Sequence, residues 1–323
     1  MSQTFSRREV VNKENIGQLA NVRRQPKIKS RTPFKEVELP MESPFRMIIE
    51  PEFEKHPQLV TPYIDTIIKH IREREEAELC INPDYMSAQR DINLRMRAIL
   101  VDWLVDVNIK FRMQPQSFFM TIALIDRYLS VREVARQKLQ LVGIAALMII
   151  GKYEEIYPPL LKDYVAVCDN AFRADEIVAM ESEMLLTFNF DLNKTCSFVF
   201  LEYFRQKVLM SDQEFVFARF LLEISLLDTA YLRFNNFVLA AGAIYLVNKI
   251  FKKEAWSKLL EESTGVSESQ AKNCAKELFA TISRTESSSL NAIKRKFAEP
   301  EMFEVSKYKI EKVSSQTCIN MSN

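Results

Sequence analysis

The segment "LQLVGIAALMIIGKYEEIYPP", residues 139–159, is apolar on nearly every side until Lys152, and it carries Gly143, Ala145 and Ala146, small enough to let neighbours approach closely. A helix that is apolar all round has no face to offer water, so it belongs at the centre of a bundle. Pro158-Pro159 ends it, since proline supplies no amide hydrogen to the ladder. A second stretch, "NFVLAAGAIYLVNKIFKK" at 236–253, lies over the first with Gly143 on Ala240 and Lys152 on Lys249. Beyond them "ADEIVAMESEML" lies over "ESQAKNCAKELF" in the same order. This weak, colinear repeat predicts two helical bundles of one design, joined near residue 193.

The surrounding segments agree with an all-α chain. Thr61 is placed to cap a helix beginning at Pro62, with Ile64, Ile67, Ile68 and Ile71 as its apolar stripe. Further helices are expected over about Leu94–Arg112 and Gln116–Ser130, and over "ADEIVAMESEMLLTF", which closes the first bundle near Phe188. Five more follow, two of them opened by the capping boxes Ser211-x-x-Glu214 and Ser267-x-x-Gln270. With 323 residues, 47 % hydrophobic, the chain can bury a sizeable core. Its five glycines are too few for doubly wound sheets or phosphate-cradling loops.

The residues that usually carry chemistry are sparse. His56 lies in a Lys-His-Pro linker and His70 on a charged helix, so neither has an acid-base or metal setting. Asp102 and Asp106 share a helix face, but no Glu-x-x-His and no second carboxylate pair accompanies them, and a solvated or hydrogen-bonded face is expected. Glu154-Glu155 shows no chemistry in isolation. The cysteines, Cys80, Cys168, Cys196, Cys274 and Cys318, show no Cys-x-x-Cys spacing and are expected to be buried or inert thiols in a reduced intracellular compartment. No catalytic residue, metal or cofactor is expected. No apolar run is long enough to span a membrane, and Met1–Ala20 has no signal-like apolar centre, so a location in nucleus and cytoplasm is expected. A net charge of +1 argues against general nucleic-acid binding.

Four charges sit inside apolar helices, Arg97, Asp126, Lys152 and Glu181. An unpaired buried charge costs several kcal/mol, so each must find a partner. For Lys152 the alternative is a cation at a helix C-terminus, and residue types alone leave both open. The helix containing "MRAILVDWLVDV", residues 96–107, has apolar side chains to spare. Turning each residue about 100° from the last gathers Met96, Ile99, Leu100, Trp103 and Val107 on one side and Ala98, Val101, Val105 and Ile109 on the other. Asp102 and Asp106 fall on one flank, Arg97 and Asn108 on the other. The small, branched set is expected to meet the central helix. The Met96/Trp103 side is left to pack on another helix or to face a partner.

"MRAILVDWLVDV", "LIDRYLS", "KLQLVGIAALMIIGKYEEIYPP" and "MESEMLLTFNFDL", in this order and at these separations, resemble the cyclin box of mitotic cyclins, with "KFRM", "KYEE" and "DNAF" more like the B-type than the A-type. The resemblance covers about 60–190 strongly and the remainder, including "NAIKRKFAEPEMFEVSKYKI", more loosely. It implies two tandem five-helix cyclin-box bundles: a regulatory arm over 1–58, a first box with its preceding helix over 59–192, a second over 193–300 and a tail over 301–323. It also implies the function, a non-catalytic subunit that binds and allosterically activates a cyclin-dependent kinase at G2/M. A competing use of the fold would grip DNA or serve a kinase outside the cell cycle. By similarity Arg97–Asp126 is a structural ion pair, and Lys152 with Glu181 hydrogen-bonds the kinase backbone. Ile149, Tyr153, Leu185, Phe190 and Ile67 would supply apolar contact. Met96, Ile99, Leu100, Trp103, Arg136, Leu139 and Gln140 match the patch that captures Arg-x-Leu peptides of substrates and inhibitors. Asp106 stands where many relatives carry Glu or Gln, which alters contact with the peptide's basic residue.

Residues 1–35 hold nine Lys/Arg and two Glu, and 36–55 hold six Glu against Arg46 and Lys55, the composition of a flexible arm. Lys13-Glu14-Asn15 has the form of a degron read by the anaphase-promoting ubiquitin ligase, while no Arg-x-x-Leu destruction box is present. Thr32-Pro33 and Ser43-Pro44 fit a proline-directed kinase consensus, and "RRQPKIKSR" is a candidate nuclear import signal.

Overall fold

A computed structural model describes residues 63–77, 81–208, 210–286, 289–310 and 319–320. The chain divides into Met1–Arg46 and Met47–Asn323, and every described residue belongs to the second unit. Thr61, Pro62, Cys80, Cys318, His56, the degron Lys13-Glu14-Asn15, the phosphorylation candidates Thr32 and Ser43 and the basic run lie outside the described residues.

The first bundle contains α1 (Ile64–Ala77), α2 (Leu94–Phe111), α3 (Pro115–Val131), α4 (Leu139–Glu154), α5 (Leu161–Val167) and α6 (Ala174–Thr187). The second contains α7 (Ser197–Lys207), α8 (Asp212–Ser225), α9 (Asn236–Ile250), α10 (Lys258–Thr264) and α11 (Glu268–Glu286), followed by the short α12 (Ala292–Lys296). Lys309–Ile310 pairs antiparallel with Ile319–Asn320, the one strand pairing among the described residues. The all-helical, two-bundle expectation holds. Among the described residues no helix is long and apolar enough to cross a membrane.

Local chemistry sets the boundaries. Asn93 Oδ1 accepts from the Met96 amide at 3.0 Å to open α2, and Arg112, at φ 53°, closes it. Pro115 takes the first position of α3, where its missing amide hydrogen costs nothing. Both expected capping boxes form. Ser211 N donates to Glu214 Oε2 at 2.9 Å, and Ser267 N to Gln270 Oε1 at 3.0 Å. The central helix stops at Glu154, short of Pro158-Pro159, because Glu155 turns extended. Glu155 then serves α3, accepting from Gln114 N at 2.8 Å and Ser117 Oγ at 2.5 Å. That gives one of the two glutamates a structural role the sequence did not show. Helix α5, absent from the sequence reading, is a short helix of seven residues, about two turns, behind the two prolines, opened by Asp163 accepting from Leu160 N at 2.9 Å.

The repeat is physical. Helix α4 packs on α2, α3 and α6, and α9 packs on α7, α8 and α11. Every residue from Leu141 to Gly151 is buried. In α9, Gly242 has no room for a side chain. A Cβ there would lie 2.6 Å from Cys274 Sγ and 2.8 Å from its Cβ. Cys168, Cys196 and Cys274 are buried free thiols, and burial raises all three, Cys168 to about 11 and the other two to about 12. They are inert at neutral pH.

After α11 the described residues 292–308 pack back on the second bundle at several points. Phe297 and Val305 are completely buried, and Gln213 Nε2 donates to the Tyr308 hydroxyl at 2.7 Å. Fully buried Glu223 of α8 accepts from Lys296 Nζ at 2.8 and 2.6 Å and from Arg219 Nε at 2.8 Å. Burial pushes this carboxyl up, and the two cations beside it outweigh that and hold it below its ordinary range.

Candidate functional site

Two surfaces carry the residues singled out in the sequence, and a buried ion pair supports the first bundle beneath them. Arg97 and Asp126 are both fully buried, with Arg97 Nε to Oδ1 and Nη2 to Oδ2 at 2.6 Å each. Tyr85 OH donates to Oδ1 at 2.6 Å and Tyr231 OH to Oδ2 at 2.5 Å. Arg97 Nη1 reaches the Leu226 carbonyl at 2.7 Å. Each guanidinium nitrogen and each carboxylate oxygen of the pair thus has a partner, and through Tyr231 and Leu226 the pair ties the first bundle to the second. Burial disfavours the charge on Arg97, but Asp126 more than compensates and raises its pKa. Burial, followed by the same carboxylate, raises both tyrosines.

This network corrects the reading of α2. Its buried side runs through Arg97, Leu100, Leu104, Val107 and Asn108 as well as Ala98, Val101 and Val105. Neutralising Arg97 turns what read as a polar flank into the centre of the core-facing arc. Leu100, 5 % exposed, is the residue that meets the central helix, where a Cβ on Gly143 would lie 2.6 Å from its Cδ1. The small, branched side is expected at that contact, and Leu100, placed with the other side, is found there as well. Opposite the buried arc, Ile99 is half exposed and Met96 and Trp103 are half-buried. Of the other patch residues Arg136 is exposed, Gln140 is half-buried and Leu139 is buried. Leu100, Leu139 and Val107 therefore belong to the packed floor rather than to an open surface. Both carboxylates of this helix are engaged. Asp102 Oδ1 accepts from Ala292 N at 2.9 Å, and Asp106 accepts from Arg295 Nη2 at 3.0 and 2.8 Å.

The second surface lies at the C-terminal end of α4. Lys152 Nζ donates to both carboxylate oxygens of Glu181 on α6, at 2.7 and 2.9 Å, with the lysine side chain about half exposed and the glutamate 12 % exposed. The pair forms, and Lys152 is at the same time the basic residue in the last turn of α4, so both readings of it are realised. In the segments that follow the two residues the chain shows apolar side chains to solvent, Tyr153, Ile156, Tyr157 and Leu160 after Lys152 and Leu186 and Phe190 after Glu181, with Tyr157 92 % exposed. Phe190 is presented by a left-handed turn at Asn189 and Phe190, φ 49° and 61°. Leu185 is half-buried against the core. Ile149 is a correction: at 3 % exposure it is enclosed in the bundle, because α4 is buried on every side as far as Gly151 and opens to solvent only from Lys152 onward. Ile67 is exposed on α1, and a cleft of about 220 Å³ lined by Ile71, Arg74 and Tyr153 joins that helix to the end of α4. Sequence reading missed Ile156, Tyr157, Leu160 and Leu186. An apolar run beside two prolines, with no helical period, was the available signal.

In the colinear overlay Ala275, 4 % exposed, occupies the place of Glu181, so the second bundle cannot rebuild this pair at Lys249. Among the described residues no group of three or more His, Cys, Asp or Glu side chains could hold a metal.

Known families and proteins match both bundles. The model "Cyclin, N-terminal domain" matches residues 66–193 and "Cyclin, C-terminal domain" matches 195–311. The chain is 38 % identical over 220 residues to the G2/mitotic-specific cyclin S13-7 of Glycine max, an alignment covering 68 % of this chain and 85 % of that one. It is 33 % identical over 244 residues to Cyclin-B2-1 of Oryza sativa subsp. japonica, covering 75 % of this chain and 58 % of the rice protein's length. A viral cyclin from herpesvirus saimiri shares the fold, with a TM-score of 0.60 at 16 % identity over 67 % of this chain and 96 % of that one.

Proposed function

This chain is a member of the cyclin family, and on that premise we propose that it binds and allosterically activates a cyclin-dependent protein kinase at the G2/M transition, as a regulatory subunit with no active site of its own. The observation that carries this reading is the Lys152–Glu181 pair, held at 2.7 Å at the end of α4, where the chain next exposes Tyr153, Ile156 and Tyr157. An ammonium group has three donors, and Glu181 takes two, which leaves one for a backbone carbonyl of a partner. The exposed apolar residues that follow the pair in sequence, Tyr153, Ile156, Tyr157, Leu186 and Phe190, would then be covered by the kinase, in an interface of about 2,000 Å² or more. Contact with the kinase's C helix turns that helix inward so that its glutamate meets the ATP-positioning lysine and the activation loop is freed. Such a change follows from differential contacts with the two arrangements.

Substrates and inhibitors with Arg-x-Leu sequences dock, in this reading, on the exposed side of α2 at Ile99, Met96 and Trp103, with Arg136 and Gln140 alongside. Lys13-Glu14-Asn15 serves as a degron for the anaphase-promoting ubiquitin ligase, and the chain works in nucleus and cytoplasm. Mixing the purified chain with a purified, activation-loop-phosphorylated cyclin-dependent kinase tests the central reading. Histone phosphorylation should rise by orders of magnitude. No rise with any mitotic kinase of this class refutes it.

A further inference from the structure

Each of the three successive basic residues of α12 has its own acceptor. Lys294 Nζ donates to the Thr285 carbonyl at 3.2 Å, Lys296 is held by buried Glu223, and Arg295 reaches across to Asp106 of α2. The backbone that presents Arg295 is fixed. Ala292 and Ile293 are each 1 % exposed, Phe297 is fully buried, and the amide of Ala292 is bound by Asp102. Arg295 therefore reaches Asp106 from a backbone already held in place, and only its side chain has freedom left to lose.

Asp106 stands seven residues, two helical turns, after Ile99 and three after Trp103, so it lies along the edge of the exposed apolar strip of α2. A peptide that lays a leucine on this strip and carries a basic residue two positions away would seek a carboxylate at that edge. Asp102 is already engaged by a backbone amide, and Asp106 by Arg295. We infer that Arg295 is a built-in competitor for the cation of a docking peptide. By occupying Asp106 it makes this chain choose its ligands by the apolar residue far more than by the basic one. The inference rests on the docking reading above and deepens it. Because the Arg295–Asp106 pair is exposed, the competition is modest. Exposed pairs of this kind correspond to roughly a two- to five-fold effect on an equilibrium.

The test is fluorescence anisotropy with two labelled synthetic peptides, one Arg-x-Leu and one Ala-x-Leu, on the full chain, on Arg295→Ala and on Arg295→Gln, with melting temperatures as the check on folding. The wild type should prefer the arginine peptide less than about two-fold, and both variants should raise that preference roughly two- to five-fold, with the alanine peptide unchanged. Adding Asp106→Asn should abolish the gain. Equal preference in wild type and variants overturns the competitor role while leaving the docking surface intact. Failure of either peptide to bind any form, or binding unaffected by Ile99→Ala with Trp103→Ala, overturns the docking reading itself.

Discussion

Arg97 of α2 and Asp126 of α3 meet through two hydrogen bonds of 2.6 Å with neither side chain reaching solvent. The aspartate's oxygens also take the hydroxyls of Tyr85 and Tyr231, from opposite sides of the junction between the bundles. Breaking a buried pair by removing one partner strands the other charge. Asp126→Ala should therefore destabilise the chain by about 3–5 kcal/mol, read as a lowered denaturation midpoint. A loss below about 1 kcal/mol, the range of an exposed pair, would show that Arg97 is not held as described.

The Glu223 cluster predicts a specific acid sensitivity. Its carboxyl titrates lower in the folded chain than in the unfolded one, so the folded state binds its proton less readily. The stability it contributes is fully present above the ordinary glutamate pKa of about 4.3 and is lost as pH falls through the lower folded value. Urea melts from neutral pH into the acid range should show Glu223→Gln less stable at neutral pH and with a flatter acid decline than wild type. Parallel curves would contradict this.

Gly242 has almost no room for a side chain. Its would-be Cβ meets Cys274 Sγ and Cβ, and the Ala275 amide nitrogen at 3.2 Å. Gly242→Ala should thus cost about 1–3 kcal/mol in overpacking, more than the gain in helix propensity of up to about 1 kcal/mol. Gly143→Ala meets only the rotatable end of Leu100 and should cost less. Thermal melts of the two variants should rank them in that order.

The exposed strip of α2 is separable from the Lys152 surface. Trp103→Ala should weaken the binding of an Arg-x-Leu peptide, by roughly ten-fold if the ring supplies an anchor worth about 1–2 kcal/mol, while kinase binding survives. Loss of both together would mean that Trp103 supports the fold rather than the ligand.

How much of this was readable from residues alone depends on what each reading rested on. The central helices α4 and α9 and the caps at Ser211 and Ser267 were legible because all-round apolarity and capping chemistry are local. Lys152 and Glu181 stood out because a charge within an apolar helix needs a partner. The orientation of α2 was misjudged because it depends on a non-local event. Arg97 faces inward only once Asp126, Tyr85 and Tyr231 surround it, and no periodicity reports a tyrosine delivered from residue 231. The same holds for Arg295 on Asp106, joined across 189 positions of sequence. Ile149 was given a contact role by resemblance alone, whereas the all-round apolarity of its helix up to Gly151 already marked it for the core.

The central claim stands or falls on the pair at the end of α4. Lys152→Ala with Glu181→Ala, made in the full chain, removes the 2.7 Å contact while leaving the exposed apolar residues in place. Binding of the double variant to the purified kinase, measured by co-purification and by stimulated phosphotransfer, should fall below detection while circular dichroism shows unchanged helicity. Undiminished binding and activation by that folded variant would contradict the account.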